Sequence, residues 1–131
     1  MPYVEAVTVV RKGREVVVEI TETGALTGSE PTAIGLKFAR GVLLRATCVL
    51  TAGTGPSVDP VLGTVTDPGA SANAASVVYA NGTAAATVDY VPSTPIPFHT
   101  STGELFHRSV PSGGSDNAIT TKYFIRVGWN D

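Results

Sequence analysis

The stretch Arg40-Gly41-Val42-Leu43-Leu44-Arg45-Ala46-Thr47-Cys48-Val49-Leu50-Thr51 decides the fold class. Successive side chains of a strand point to opposite faces, so Val42, Leu44, Ala46, Cys48 and Leu50 share one apolar face. Leu43, Arg45, Thr47, Val49 and Thr51 fall on the other. The spacing predicts a core strand that follows a turn at Arg40-Gly41. Before it, Ile34, Leu36 and Phe38 alternate with Gly35, Lys37 and Ala39, the period-two pattern of a half-buried strand. The carboxy-terminal segment, residues 118–131, reads the same way, with Ile119, Thr121, Tyr123, Ile125, Val127 and Trp129 on one face.

The rest of the chain repeats this grammar. Residues 1–22 read as an amino-terminal hairpin with the basic tip Arg11-Lys12-Gly13-Arg14, and Val16, Val18 and Ile20 mark the core face of its second arm. Residues 52–75 form a long loop rich in Gly, Pro, Ser, Thr and Asp, with one short strand expected near residues 61–65. Asn81-Gly82 suits the positive φ of a tight turn, which predicts a hairpin between residues 76–80 and 83–89. Pro92, Pro95 and Pro97 withhold backbone donors, so residues 91–98 read as an edge or crossing segment. A turn at Thr102-Gly103 leads into a strand over residues 104–110. With about eight to ten short strands and no sustained helical period, the chain reads as all-β: a single antiparallel β-sandwich domain over residues 1–131, jelly-roll-like. A partly closed barrel produces the same strand pattern.

Composition supports this class and removes others. The 131 residues include 18 Val and 17 Thr but only three Lys, a balance that favours strands over helices. Nine basic against eleven acidic residues give a net charge of -2, which argues against a nucleic-acid partner. No apolar run approaches the roughly 20 residues that span a bilayer as a helix, so no membrane partner is expected. The start Met1-Pro2-Tyr3-Val4-Glu5 has neither a basic n-region nor an apolar h-region, which predicts synthesis in a cytoplasm. The lone Cys48 lies in an apolar run and reads as a buried, inert thiol. Without a disulfide, stability rests on the core or on assembly.

Catalytic and ligand patterns are sparse. His99 and His107 flank the expected turn at Thr102-Gly103, and they read as surface or interface histidines because zinc needs further ligands that no spacing supplies. Ser101, Ser109 and Ser115 lie near a His or an Asp, but no nucleophile-elbow pattern accompanies them. Gly53-Thr54-Gly55 lacks the following Lys of a phosphate loop. No cofactor and no metal is expected, and the chain is read as non-enzymatic. The candidate contact residues are instead Arg11, Lys12 and Arg14 at the hairpin tip and the aromatic set Tyr123, Phe124 and Trp129. The tip reads as a solvated turn or a docking contact, the aromatics as core or interface anchors.

Three passages carry a likeness to known proteins: Gly53-Thr54-Gly55 through Asp59-Pro60, Asn81-Gly82-Thr83-Ala84-Ala85-Ala86-Thr87-Val88, and Gly103-Glu104-Leu105-Phe106-His107-Arg108-Ser109. With the Thr, Ala, Val and Gly bias, they make the chain resemble the small β-rich virion proteins of tailed bacteriophages, of the capsid decoration or cement type. The resemblance implies a symmetric homo-oligomer, a trimer above all, placed on the capsid surface and clamping the major capsid protein. A tail, baseplate or head-tail adaptor shares the composition. A carbohydrate-binding sandwich is the other alternative, with Trp129-Asn130-Asp131 as its platform.

Overall fold

The computed structural model describes residues 4–24, 32–34, 40–53, 58–64, 77–80, 87–99, 104–111 and 117–128. Among them lie ten strands: β1 Val4–Lys12, β2 Glu15–Gly24, β3 Thr32–Ala33, β4 Arg40–Gly53, β5 Val58–Gly63, β6 Val77–Ala80, β7 Thr87–Tyr90, β8 Ile96–His99, β9 Phe106–Pro111 and β10 Asn117–Val127. They form two antiparallel sheets. The first runs β1-β2-β10-β4-β7, with β8 also paired to β4, and the second runs β3-β9-β5-β6. A single buried cluster joins them, with Val18, Ile20, Leu43, Tyr123 and Ile125 from the first sheet and Leu62, Tyr79 and Leu105 from the second side. The chain is an antiparallel sandwich, and after β4 it passes repeatedly from one sheet to the other.

The amino-terminal hairpin forms as expected. Lys12 pairs with Glu15 across a two-residue turn, and Gly13 takes the left-handed φ of 62° that this tight reversal needs. Val16, Val18 and Ile20 are buried, and the same parity carries Glu22 into the interior. β10 lies between β2 and β4, so Ile119, Thr121, Tyr123, Ile125 and Val127 are all buried on the face that meets the second sheet. Trp129, the last residue of the expected carboxy-terminal face, lies outside the described residues, as do Asn130 and Asp131.

Strand β4 departs from its simple alternation. Tyr123 pairs with Ala46, Phe124 with Arg45 and Ile125 with Leu43, so Leu44 is the extra residue of a β-bulge. One inserted residue reverses the parity of everything beyond it. Leu43 therefore joins Ala46 and Cys48 on the core face, while Val42 and Leu44 are only half-buried. Nor is Arg40-Gly41 a turn: both residues lie in β4, where Gly41 faces Phe98 of β8 on one side and Val127 of β10 on the other. A β-carbon at Gly41 would stand 2.7 Å from the Arg126 carbonyl oxygen and 3.0 Å from the Phe98 ring. Gly41→Ala is expected to cost about 1–3 kcal/mol through this overpacking, read as a lower urea midpoint at unchanged slope.

Other local expectations yield to long-range pairing. Of the hairpin expected around Asn81-Gly82, residues 81–86 lie outside the described residues; of its described parts, β6 joins β5 in the second sheet and β7 joins β4 in the first. The strands on either side of Thr102-Gly103 separate in the same way, β8 onto β4 and β9 onto β5 and β3. β8 keeps the edge position its prolines predict. Inside the expected loop, β4 extends to Gly53 and β5 occupies Val58–Gly63. Ile34 is buried just after β3 and its amide donates to the Leu105 carbonyl at 3.0 Å, while the rest of the strand expected there, with Leu36 and Phe38, lies outside the described residues.

Candidate functional site

The inward parity of β2 ends on an acid, Glu22, and the inward parity of β9 places His107 and Ser109 after Leu105. Where the two sheets face each other, these side chains meet Tyr123 of β10. His107 Nδ1 lies 2.7 Å from the Tyr123 hydroxyl, and His107 Nε2 lies 3.0 Å from Glu22 Oε1. Ser109 donates its hydroxyl to Glu22 Oε1 at 2.5 Å and lies 3.2 Å from His107 Nε2. Glu22, His107 and Tyr123 are 0% exposed and Ser109 is 1% exposed. Burial of this many polar groups is tolerated only because they bond one another. The His107 and Tyr123 rings also meet edge to face at 5.6 Å.

This corrects the reading of His107 as a surface or interface residue. His99 is exposed and sits in the other sheet, so the two histidines do not converge. Ser109, His107 and Glu22 do converge, but not as a hydrolase triad, in which the acid holds Nδ1 and the serine meets Nε2. Here both Glu22 and Ser109 are on Nε2, Ser109 donates to the acid, and Tyr123 occupies Nδ1. Glu5 completes the cluster from β1. It is the register partner of Glu22, it is half-buried, and its carboxylate lies with those of Glu22 and the His107 ring in a group whose ligand atoms are all within 4.8 Å of one another. The signal for this site was in the sequence: Glu22 is in phase with Val16, Val18 and Ile20, and His107 and Ser109 with Leu105. Nothing local says that the two runs face each other.

The residues chosen from sequence disperse. Arg11 closes its own turn by donating Nε to the Gly13 carbonyl at 2.9 Å, and Lys12 is exposed beside it. Arg14 turns back, donating Nε to the Val127 carbonyl at 3.0 Å while the Val127 amide donates to the Arg14 carbonyl. There it lines an open groove of about 480 Å³ with Arg40, Arg126, Pro97 and Phe98, at the opposite end of β2 from Glu22. Arg126 in that groove is paired with Glu15 at 2.8 Å. Tyr123 is core. Phe124 points to the outer face and is half-buried under the Arg45 guanidinium, 5.4 Å from its ring centre. Arg45 is held in place by two hydrogen bonds to Asp89, at 2.8 and 2.7 Å, and its hydrogen bond is the main cause that lowers the Asp89 pKa below the ordinary carboxylate value. Phe124 is thus partly covered by its own chain.

Among the described residues, no helix is long and apolar enough to cross a membrane. Compared with protein-family models, curated proteins and solved structures, the chain matches none.

Proposed function

We propose that this chain is a non-enzymatic structural virion protein that assembles with copies of itself, as a trimer, and binds the major capsid protein as an outer decoration of a bacteriophage shell. The observation that supports this reading most directly is the state of strand β1. It is an edge strand nine residues long, paired among the described residues with β2 alone. Its middle, Ala6-Val7-Thr8-Val9-Val10, contains neither charge nor proline, and Val10 is 53% exposed. Edge strands present unpaired amides and carbonyls, and proteins normally blunt them with Lys, Pro or bulges. The opposite edge of the same sheet is shared by β7 and β8, and its β8 part is blunted in this way, with Pro97 inside the strand and Pro95 just before it. An edge whose middle is unguarded favours addition of a second copy at β1, and many copies on a lattice gain avidity without tight single contacts.

Light scattering of the purified chain, followed by sedimentation with capsid shells, tests the reading. The expected result is a particle of three times 13.5 kDa that co-sediments with shells. A Thr8→Lys, Val10→Lys variant should shift that particle to monomer and lose shell binding by the loss of avidity. A monomer that ignores shells overturns the proposal, and a six-fold or twelve-fold ring replaces it with a tail adaptor.

A further inference from the structure

We propose that Glu5, Glu22 and His107 form a binding site for a divalent first-row transition ion, with zinc as the working case, that ties the two sheets together. Three observations converge on it. The first is the donor set: two carboxylates and one imidazole, on three different strands, with ligand atoms within 4.8 Å of one another. Carboxylate and imidazole together suit zinc and its neighbours, whereas calcium and magnesium favour sites made of oxygen alone.

The second is the spacing. Two ligand atoms about 2.1 Å from one tetrahedral ion stand about 3.4 Å apart. His107 Nε2 and Glu22 Oε1 are 3.0 Å apart, so an ion can replace the proton between them once the two side chains part by about 0.4 Å. Glu5 is directly opposite Glu22 in an antiparallel pair, where β-carbons are about 4.5–5.5 Å apart and like charges repel. A dication at that point converts the repulsion into two bonds. Because Glu5 is only half-buried, the site opens on its side and leaves room for water ligands.

The third is the support around the ligands. A metal-bound histidine almost always uses its other ring nitrogen to donate a hydrogen bond that fixes the ring. With the ion on Nε2, His107 Nδ1 carries the ring proton and donates it to the Tyr123 hydroxyl oxygen, 2.7 Å away. Ser109 donates to Glu22 Oε1 and orients that carboxylate. The consequence is structural: the ion bonds β1 and β2 of one sheet to β9 of the other, in a chain whose one cysteine, Cys48, is free.

The test is titration of chelator-treated protein with zinc chloride, read by calorimetry and by melting temperature. One equivalent should bind saturably and raise the melting temperature. Glu5→Gln should weaken binding by about tenfold or more, at least the loss that outer-shell changes cause, while His99→Ala should bind as the parent does. On the unsubstituted protein, ring ¹⁵N spectra should show His107 Nε2 shifting on zinc addition with His99 unaffected, a readout that requires no variant to fold. Absence of saturable binding, equal affinity in Glu5→Gln, or a shift confined to His99 overturns the proposal.

Discussion

In chelator-treated solution, His107→Leu is expected to lower stability by about 3–5 kcal/mol, because it leaves the Glu22 carboxylate buried without its imidazole partner. Both groups are 0% exposed, so water cannot take over the lost bond. The second arm of the experiment is Glu22→Leu. It removes the acceptor and leaves the His107 Nε2 and Ser109 hydroxyl that faced it unmatched, at about 1–3 kcal/mol for each buried group left without a bond. The double variant His107→Leu, Glu22→Leu should be more stable than His107→Leu alone, since replacing both partners of a buried pair by apolar groups is often neutral or better. Urea denaturation of the four proteins measures this as a cycle. Additive losses, or a cost below about 1 kcal/mol for His107→Leu, would show that the pair is not coupled in this way.

Tyr123→Ala should cost about as much, roughly 3–5 kcal/mol or more, for a different reason. The ring is fully buried at the centre of the first sheet, packs edge to face on Tyr79 at 6.4 Å and supports His107. Alanine leaves a cavity that two sheets anchored by long ladders cannot close. Tyr123→Phe separates the two contributions. It keeps the ring and removes only the hydroxyl on His107 Nδ1, so its cost should stay near the about 1–3 kcal/mol of one buried group left unbonded. Thermal melts with urea titrations of both variants decide the order. If phenylalanine proved as damaging as alanine, the hydrogen bond rather than the packing would dominate.

Strand identity was readable wherever apolar residues alternated over long runs. β2 and β10 kept the predicted faces because each pairs along nearly its whole length with neighbours of matching length, so register cannot slip without exposing a whole apolar row. β4 did not, because a bulge at Leu44 is set by its fit to β10 and leaves no mark in the alternation before or after it.

The candidate site was half readable. Acidic Glu22 and imidazole His107 each sat at an inward position of an apolar run, which is an unusual placement for residues almost never fully buried without a partner. What was missing was the identity of the partner. Sequence neighbours of His107 pointed to His99, but the chain crosses from one sheet to the other between them, and the residue that meets the imidazole comes from 85 positions away. Composition and period-two patterning by themselves therefore determined an all-β chain, its principal strands and most of its core faces, because side-chain alternation is a local property of extended backbone. Strand partners, the bulge that turns Leu43 inward and the joining of Glu5, Glu22, His107, Ser109 and Tyr123 were decided only by the tertiary structure. These depend on which surfaces meet across the two layers, a choice governed by the burial and hydrogen bonding of the whole chain at once.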